Sequence, residues 1–384
     1  MEMSAKRIVA LVSRRCEPID GVADYCEWLG AAVASHGYAF ETFCVDWQGR
    51  GWRAALSDLK EKATPWRGSW VLLQYTAFGW SRRGFPVRAP SILSVLQQSG
   101  ARCGVVFHEF EPAAGTRVID RARRYCQCRV LENLFKRAER AVFTAPLEKV
   151  SWRPTRDKAV FIPVGANCPD TPLDVRGPSE VKTVAVYCIT GGKQMIAEVA
   201  DIGHALKRVC GAVGRVHLIV FGTGAREADA ALRTEFAGTG VDMEMLGLLS
   251  PEDVSRNLAR ADVMLFVRGQ ISSRRGSAMA GIASGLPVVC YGGPETGWPI
   301  TEAGIFPVPL GDPEALSEAL TNVLSDDTLR DGLRRRSRHA QEEYFSWRAI
   351  ASRYVDALGP LAHGPDGSMA ADPLRIDERE KHTE

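Results

Sequence analysis

A loop rich in serine, glycine and arginine carries the clearest chemical signal in this sequence. It follows the apolar run 263–267 and precedes a helical stretch of small residues and a second apolar run, 286–291. The first residues of a helix present free N–H groups and a positive dipole end, which suit a pyrophosphate. Arginines can neutralise the phosphates, although such a loop can also simply face solvent. The candidate donor-binding residues here are Arg268, Ser272, Ser273, Arg274, Arg275, Gly276 and Ser277.

Polar residues also follow two predicted strands of the first half. His108 and Glu109 follow strand 103–107, and Gln74 and Tyr75 end strand 70–75. Parallel α/β sheets bind ligands at these carboxyl ends. His108 is the best candidate for the catalytic region. Glu109 could act as a base, or it could pair with nearby arginines.

Two glycine-containing turns open helices after the first strand of each half. Gly21 lies before Asp24 and Tyr25, and would allow close backbone approach of a ligand. Asp24 can equally complement the helix dipole. Gly191 and Gly192 precede Lys193, a cation within reach of a phosphate. A Gly-Gly-Lys turn is also an ordinary connection from strand to helix.

Several segments of the second half resemble one family. Residues 261–266, 285–289, 304–316 and 345–351 are similar, in this order, to the donor-binding half of the large retaining GT-B glycosyltransferases (group 1, family 4-like). The resemblance covers most of residues 183–357. It implies an α/β GT-B fold of two Rossmann-like domains, whose parallel sheets face each other across a cleft. It also implies transfer of a sugar from a nucleotide sugar, with a UDP- or GDP-sugar as the expected donor.

The resemblance assigns expected roles to the candidates. Lys193 would hold the diphosphate with Arg274, and Gly247 and Leu248 would pack on the base. His108 would touch the transferred sugar. The expected catalytic residues are therefore His108, Lys193 and Arg274. The donor set adds Gly191, Gly192, Gly247 and Leu248, and the acceptor set is Gly21, Asp24, Tyr25, Gln74, Tyr75, His108 and Glu109.

One departure from the family pattern leaves alternatives open. The family carries two glutamates, which bind sugar hydroxyls and ribose, at the positions of Ser272 and Ala280. The chain is then either an active divergent enzyme or a catalytically silent GT-B scaffold that binds a partner protein. Glu295 or Glu302 could supply the ribose contact. A sugar-nucleotide epimerase would need carboxylate acid/base groups in the cleft, of which the sequence offers few. A nicotinamide enzyme would need Gly-x-Gly-x-x-Gly after the first strand, where residues 13–16 do not supply it.

Alternating apolar runs and helical patterns predict the elements that must position these residues. The expected domains are an acceptor-binding domain at 1–170, a nucleotide-sugar domain at 171–345, a helix at 346–358 that crosses back, and a disordered tail at 359–384. Strands are predicted at 8–13, 40–45, 70–75, 103–107, 141–144, 159–163, 183–188, 217–221, 242–246, 263–267 and 286–291. Helices are predicted at 22–35, 91–98, 115–140, 195–210, 225–236, 251–260, 277–284, 313–324 and 327–344.

Length and composition fit a two-domain globular protein. The chain has 384 residues, of which 45% are hydrophobic. The run 8–12 after Lys6 and Arg7 predicts a strand rather than a signal peptide, with cytoplasmic residence as the default. The ten cysteines show no zinc-ligand spacing, and no acidic motif suggests a metal. We therefore expect a metal-independent enzyme.

The net charge of +2 hides an asymmetry. Residues 1–170 hold 25 Lys and Arg against 17 Asp and Glu, whereas the rest holds 23 against 29. A basic first half could contact an anionic membrane face or an anionic acceptor, or be ordinary solvated surface. The expected partners are a nucleotide sugar and a hydroxyl-bearing acceptor, with possible peripheral membrane contact and no nucleic acid.

Overall fold

The computed structural model describes residues 6–13, 20–169 and 181–359, which form two parallel sheets covered by helices. The first sheet has the strand order β2-β1-β3-β4-β5-β6, and every pairing in it is parallel. Its elements are β1 (Lys6–Ser13), α1 (Gly21–Ala34), β2 (Tyr38–Val45), α2 (Trp47–Lys62), β3 (Trp70–Tyr75), α3 (Ala89–Ser99), β4 (Arg102–Phe107), α4 (Val118–Arg137), β5 (Arg140–Phe143) and β6 (Ala159–Phe161).

The second sheet is also entirely parallel, with the order β12-β11-β10-β7-β8-β9. Its elements are β7 (Lys182–Tyr187), α5 (Lys193–Val213), β8 (Val216–Phe221), α6 (Ala225–Phe236), β9 (Val241–Gly247), α7 (Pro251–Ala259), β10 (Val263–Gln270), α8 (Gly276–Ala283), β11 (Val288–Gly292) and β12 (Ile305–Pro309). Helices α9 (Pro313–Ser325), α10 (Asp327–Ala340) and α11 (Trp347–Leu358) follow.

Each sheet reverses its strand order at one point. The reversal lies between β1 and β3 in the first sheet and between β7 and β10 in the second. The loops at such a switch point diverge, and ligands of α/β proteins bind in the crevice that they leave. The loops that carry Gly21, Lys193 and Arg275 are all at these two points. The α/β fold predicted from sequence is thus confirmed.

Two elements were not predicted. Helix α2 contains a left-handed glycine, Gly51 with φ of 78°, which divides its apolar pattern into two short pieces. Strand β12 contains Pro307 and Pro309, which indicate an edge strand at best, and it is indeed the edge of its sheet. Residues 170–180 and all but the first residue of the predicted tail lie outside the described residues, so the domain boundary at 170/171 stays a prediction.

Helix α11 packs on the first half of the chain through aromatic side chains. The Trp347 ring lies against those of Tyr25 and Trp28, and its Nε1 donates to the Ala166 carbonyl over 2.7 Å. The phenol oxygens of Tyr25 and Tyr354 are 2.8 Å apart and fully buried. Burial raises the pKa of both phenols, so each remains a neutral hydroxyl. These contacts fix the position of the second sheet relative to α1.

Removal of one of the two phenol hydroxyls is expected to destabilise the protein more than removal of both. Tyr25→Phe or Tyr354→Phe leaves a buried hydroxyl without its partner, at a cost of about 1–3 kcal/mol, whereas the double variant leaves none. Urea denaturation followed by tryptophan fluorescence measures the three free energies of unfolding. Additive effects in the double variant would contradict coupling through this hydrogen bond.

Candidate active site

Three helices begin at the switch points, and their first turns share one feature. Gly21, Gly191 and Gly276 lie at or next to the starts of α1, α5 and α8, and a Cβ atom at any of them would contact nothing within 4 Å. Within the described chain, α5 and α8 have no side-chain cap, so their first N–H groups remain available. Open space next to free N–H groups is suited to an anionic ligand.

The loop between β7 and α5 is held in a defined conformation. Cys188 adopts a left-handed conformation with φ of 67°, unusual for a residue other than glycine. The Thr190 N–H donates to the buried carboxylate of Glu198 over 2.7 Å. A Cβ atom on Gly224 would lie 2.1 Å from the Ile189 carbonyl oxygen, so only glycine fits there. The loop therefore presents Gly191, Gly192 and an exposed Lys193 in a fixed position.

Arginines surround the start of α8. The Arg268 guanidinium lies 3.4 Å from the Thr190 hydroxyl and 3.3 Å from that of Ser277, and so bridges the two loops. Burial first, and then the charge of Arg274, lowers the pKa of Arg275. The Arg275 Nε is buried and has no hydrogen-bond partner in the described structure. A buried donor without a partner is costly, and a bound anion would supply the missing acceptor.

Arg274 is already paired. Its Nε and Nη2 each donate to a carboxylate oxygen of Glu295 over 2.8 Å, and its guanidinium lies 5.7 Å from the centre of the Phe110 ring. Burial would raise the pKa of Glu295, but the Arg274 hydrogen bond and charge, with smaller effects of Arg275 and Ser272, lower it. Arg274 therefore holds an ionised carboxylate at the cleft and is not a free cation for phosphates.

Hydrogen bonds fix Glu295 in place. Its N–H donates to the Gln270 Oε1 over 2.9 Å, and the next residue, Thr296, donates its hydroxyl to the Ile271 carbonyl over 2.7 Å. The loop after β11 is thus joined to the loop after β10.

Ser273 connects the two halves. It is 2% exposed, its hydroxyl donates to the Thr144 carbonyl over 3.2 Å, and its own carbonyl accepts from the Val164 N–H over 3.1 Å. Ser272 is also buried, next to Glu295. The structure therefore places Ser273 at the contact between the sheets, where it has little surface for a ligand.

His108 follows β4 in the first half of the chain and is only half-buried. Its Nε2 is 2.9 Å from the Oε1 of buried Gln74, and its ring contacts the edge of Tyr25 at 5.0 Å between centroids. With the proton on Nε2, the histidine donates to the amide oxygen of Gln74. Gln74 and Tyr25 therefore orient the histidine and are not themselves exposed to the cleft.

Two other predicted acceptor residues have structural contacts. Tyr75 is 1% exposed and packs edge-on against Phe107. Glu109 accepts the Ala77 N–H over 2.7 Å and so stabilises the turn after β3. This bond occupies one carboxylate oxygen and makes Glu109 a poor candidate for a base.

Asp24 lies near a residue that the sequence reasoning missed. The pKa of Tyr187 at the end of β7 is raised mainly by burial, and both Asp24 and Arg268 act on it electrostatically. Asp24 and Arg268 therefore approach the same phenol from the two halves of the chain. Burial, together with the charges of Asp20 and Glu27, raises the pKa of Asp24 itself. In the sequence, the only indication that Tyr187 could belong to the site was its position directly before the Cys-Ile-Thr-Gly-Gly turn.

The predicted base-packing segment lies at the end of β9. Gly247 has φ of 70°, and its carbonyl accepts the Gly222 N–H over 2.7 Å. Leu248 exposes 56% of its surface next to it. An exposed leucine on a fixed turn offers an apolar face to a flat ring.

No group of three or more His, Cys, Asp or Glu residues that could hold a metal ion occurs in the described ranges 6–13, 20–169 and 181–359. Likewise, none of the helices described there is long and apolar enough to span a bilayer.

Comparisons with known proteins agree with this geometry. Residues 190–326 match the family model "Glycosyl transferases group 1". A glycosyltransferase from Rickettsia africae ESF-5 has a similar structure, with a TM-score of 0.64 at 13% identity over 93% of this chain and 100% of that chain. An α,α-trehalose 6-phosphate synthase from Burkholderia multivorans gives 0.59 at 12%, over 92% and 96%. S. aureus MnaA, solved with UDP, gives 0.56 at 11%, over 91% and 95%. At these identities the likeness shows the fold, which is GT-B. No curated protein matches the sequence.

Asp24→Asn is expected to stabilise the folded protein at pH 7. Because the pKa of Asp24 is raised on folding, its ionised form is less favourable in the folded state than in the unfolded state. Asparagine removes this penalty, which solvent screening limits to about 0.5–1 kcal/mol. The gain should shrink as the pH falls through the raised pKa of folded Asp24, and should vanish only below the ordinary aspartate pKa of about 3.9, where the aspartate is protonated in both states.

Urea denaturation at pH 7 and pH 4 measures this effect, with Asp356→Asn at an exposed position of α11 as the control. Equal stability of the Asp24→Asn and wild-type proteins at pH 7 would contradict a strained carboxylate at position 24.

Proposed function

We propose that this chain is a glycosyltransferase similar to those of group 1, and that it holds the donor diphosphate at the starts of α5 and α8 and the acceptor beside α1 and His108. One observation carries the proposal. Three arginines and a lysine surround two helix starts, where two glutamates offset only part of the positive charge and one buried guanidinium nitrogen lacks a partner. Such a site is completed by a ligand with about two negative charges.

The diphosphate would contact Arg275, Arg268 and Lys193 together with the N–H groups of residues 191–193 and 276–277. Charged hydrogen bonds of this kind are the stronger ones. The nucleotide base would pack on Gly247 and Leu248. A UDP- or GDP-sugar is the proposed donor, and the UDP in the similar S. aureus structure supports the uridine alternative.

The acceptor would lie on the opposite wall. Gly21 leaves open space at the start of α1, and Asp24 and His108 border it from the first half of the chain. Asp24 is half-buried and has a raised pKa, so it could accept a proton from an acceptor hydroxyl more readily than an ordinary aspartate. His108, oriented by Gln74, would contact the transferred sugar.

Catalysis would be chiefly electrostatic. As the bond to the sugar breaks, negative charge grows on the leaving diphosphate, and the fixed cations stabilise it without reorganisation. Arg275 and Lys193 would supply most of this stabilisation, because Arg274 is neutralised by Glu295. We propose that these cations act without a metal ion.

Nucleotide binding distinguishes the two neighbouring arginines. Calorimetric titration with UDP, GDP, ADP and dTDP in the presence of EDTA should show micromolar binding of one nucleotide. Arg275→Ala should weaken it by about 10–100-fold, since a charged hydrogen bond contributes about 1.5–3 kcal/mol. Arg274→Ala should weaken it less, because its charge is already paired.

Arg233→Ala, a change of an exposed arginine on α6, is the matched control and should bind as the wild type does. Binding that requires Mg²⁺ would contradict metal independence. Absence of binding by all four nucleotides would contradict the donor site and favour a silent scaffold.

Retention of anomeric configuration is the proposed outcome. The resemblance to a retaining family supports this outcome. Glu109 is engaged by the Ala77 N–H, so inversion would require Asp24, the other carboxylate on the acceptor side, to act as the base. Proton NMR of the product formed from an α-linked donor should show an α-linkage. A β-linked product, lost in Asp24→Asn, would instead identify Asp24 as the base of an inverting enzyme.

A further inference from the structure

Helix α4 exposes an unusual face. Val118, Ala122, Tyr125 and Arg129 follow one another at spacings of three or four residues and are all exposed, so they form one stripe along the helix, which exposed Ile119 and Arg121 flank. Val118 exposes 83% of its surface and Tyr125 71%. The opposite face, which includes Val130, Leu131 and Leu134, is buried against the first sheet. The stripe is therefore a second, unpartnered surface that combines apolar, aromatic and basic groups.

A neighbouring loop extends this surface. The Arg123 Nε donates to the Arg83 carbonyl over 3.0 Å, and the Gln127 Nε2 donates to the Gly84 carbonyl over 2.9 Å, so the loop after β3 packs directly on α4. Val87 and Arg88 in the same loop are exposed. We call the α4 stripe and the exposed residues of loop 82–88 the α4 face.

The α4 face is strongly positive. The segments 77–90 and 111–132 contain eight arginines and three acidic residues, Glu111, Asp120 and Glu132, of which Glu132 pairs with Arg129. Asp120 is 8% exposed and pairs with Arg117 and Arg123, so it points inward. Arginine charge that surrounds exposed Val118, Ile119 and Tyr125 is the composition of a helix that lies at a bilayer surface.

We propose that the α4 face docks on the surface of an anionic lipid bilayer. The arginines contact lipid phosphates, and the apolar groups between them enter the headgroup region. Tyr125 suits this position because tyrosine is enriched at membrane–water interfaces. A soluble polyanion would satisfy the arginines but leave Val87, Val118 and Ile119 in water. The combination of both groups on one face therefore selects a lipid surface.

Docking in this way has a consequence for the acceptor. The segment from His108 to Arg117 connects the proposed acceptor site to the start of α4. The cleft would then open close to the bilayer. If the proposed function holds, the α4 face favours an acceptor carried on a lipid or exposed at the membrane surface.

Sedimentation with vesicles tests the docking. The full chain should bind vesicles of 70% phosphatidylcholine and 30% phosphatidylglycerol but not vesicles of phosphatidylcholine alone. Arg83→Gln/Arg88→Gln/Arg121→Gln should lose about tenfold or more of this affinity at low salt, because each basic residue near the surface contributes. The variant Val118→Ser/Tyr125→Ser keeps the charge, but its vesicle affinity should still fall several-fold, as expected if these two side chains enter the headgroup region.

Matched controls lie on the second half of the chain. Arg215→Gln/Arg233→Gln/Arg256→Gln and Leu310→Ser alter exposed residues of the same types and should bind vesicles as the wild type does. Nucleotide binding, measured on every variant, reports whether the donor site is intact, so loss of docking and failure of the proposed function are distinguishable. The proposal is overturned if the chain does not bind anionic vesicles. It is also overturned if the control variants lose as much vesicle affinity as the α4-face variants, or if the serine variant binds vesicles as well as the wild type does. Binding to heparin or an oligonucleotide without binding to vesicles would likewise overturn it, in favour of a soluble polyanion.

Discussion

The position of helix α11 on α1 is the constraint on which the candidate site depends. The proposed donor and acceptor residues follow strands of two separate sheets, so the site would require that the sheets be held together. Trp347 packs so closely on Gly165 that a Cβ atom there would lie 2.7 Å from the indole ring. The buried apolar residues of α1, α8 and α11 form one continuous cluster. Ser273 adds a polar contact between the two halves of the chain.

Charge balance is the second constraint, because it determines which cations are available to a ligand. Arg274 and Arg275 are adjacent in sequence and look equivalent there, but the fold gives them different partners. Arg274 donates two hydrogen bonds to Glu295, whereas Glu198 accepts one from the Thr190 N–H rather than from a cation. The cations that remain available to a ligand are Arg268, Arg275 and Lys193. In the proposed site, the seam would bring these cations to the same cleft as His108 and Asp24.

Much of the fold could be predicted from sequence because its strands are buried on both faces and read as apolar runs. Strand β3, Trp70–Tyr75, was predicted with its bounds, whereas α2 was missed because Gly51 interrupts its pattern. The candidate donor loop could be proposed from sequence because serine, glycine and arginine between a buried strand and a helix start suit a pyrophosphate. Its internal pairing could not be predicted, since Glu295 reaches Arg274 from a loop 21 residues later in the chain. For the same reason, the sequence could not tell that Gln74, Tyr75 and Tyr25 turn inward.

The departure from the family's two-glutamate pattern has a structural explanation at both positions. Ala280 is 1% exposed on a helix whose next residue, Gly281, already lies so close that a Cβ atom there would be 2.4 Å from the Met264 sulfur. A glutamate at 280 would have to be accommodated in this packed interior, where a charge without a partner is strongly unfavourable. Ser272 is also buried, but the carboxylate of Glu295 lies next to it. The chain thus supplies one carboxylate near the position of the first missing glutamate and none near the second. A donor held as proposed would therefore rely on phosphate contacts more than on its ribose, and the cations without a carboxylate partner would be the main determinant of its affinity.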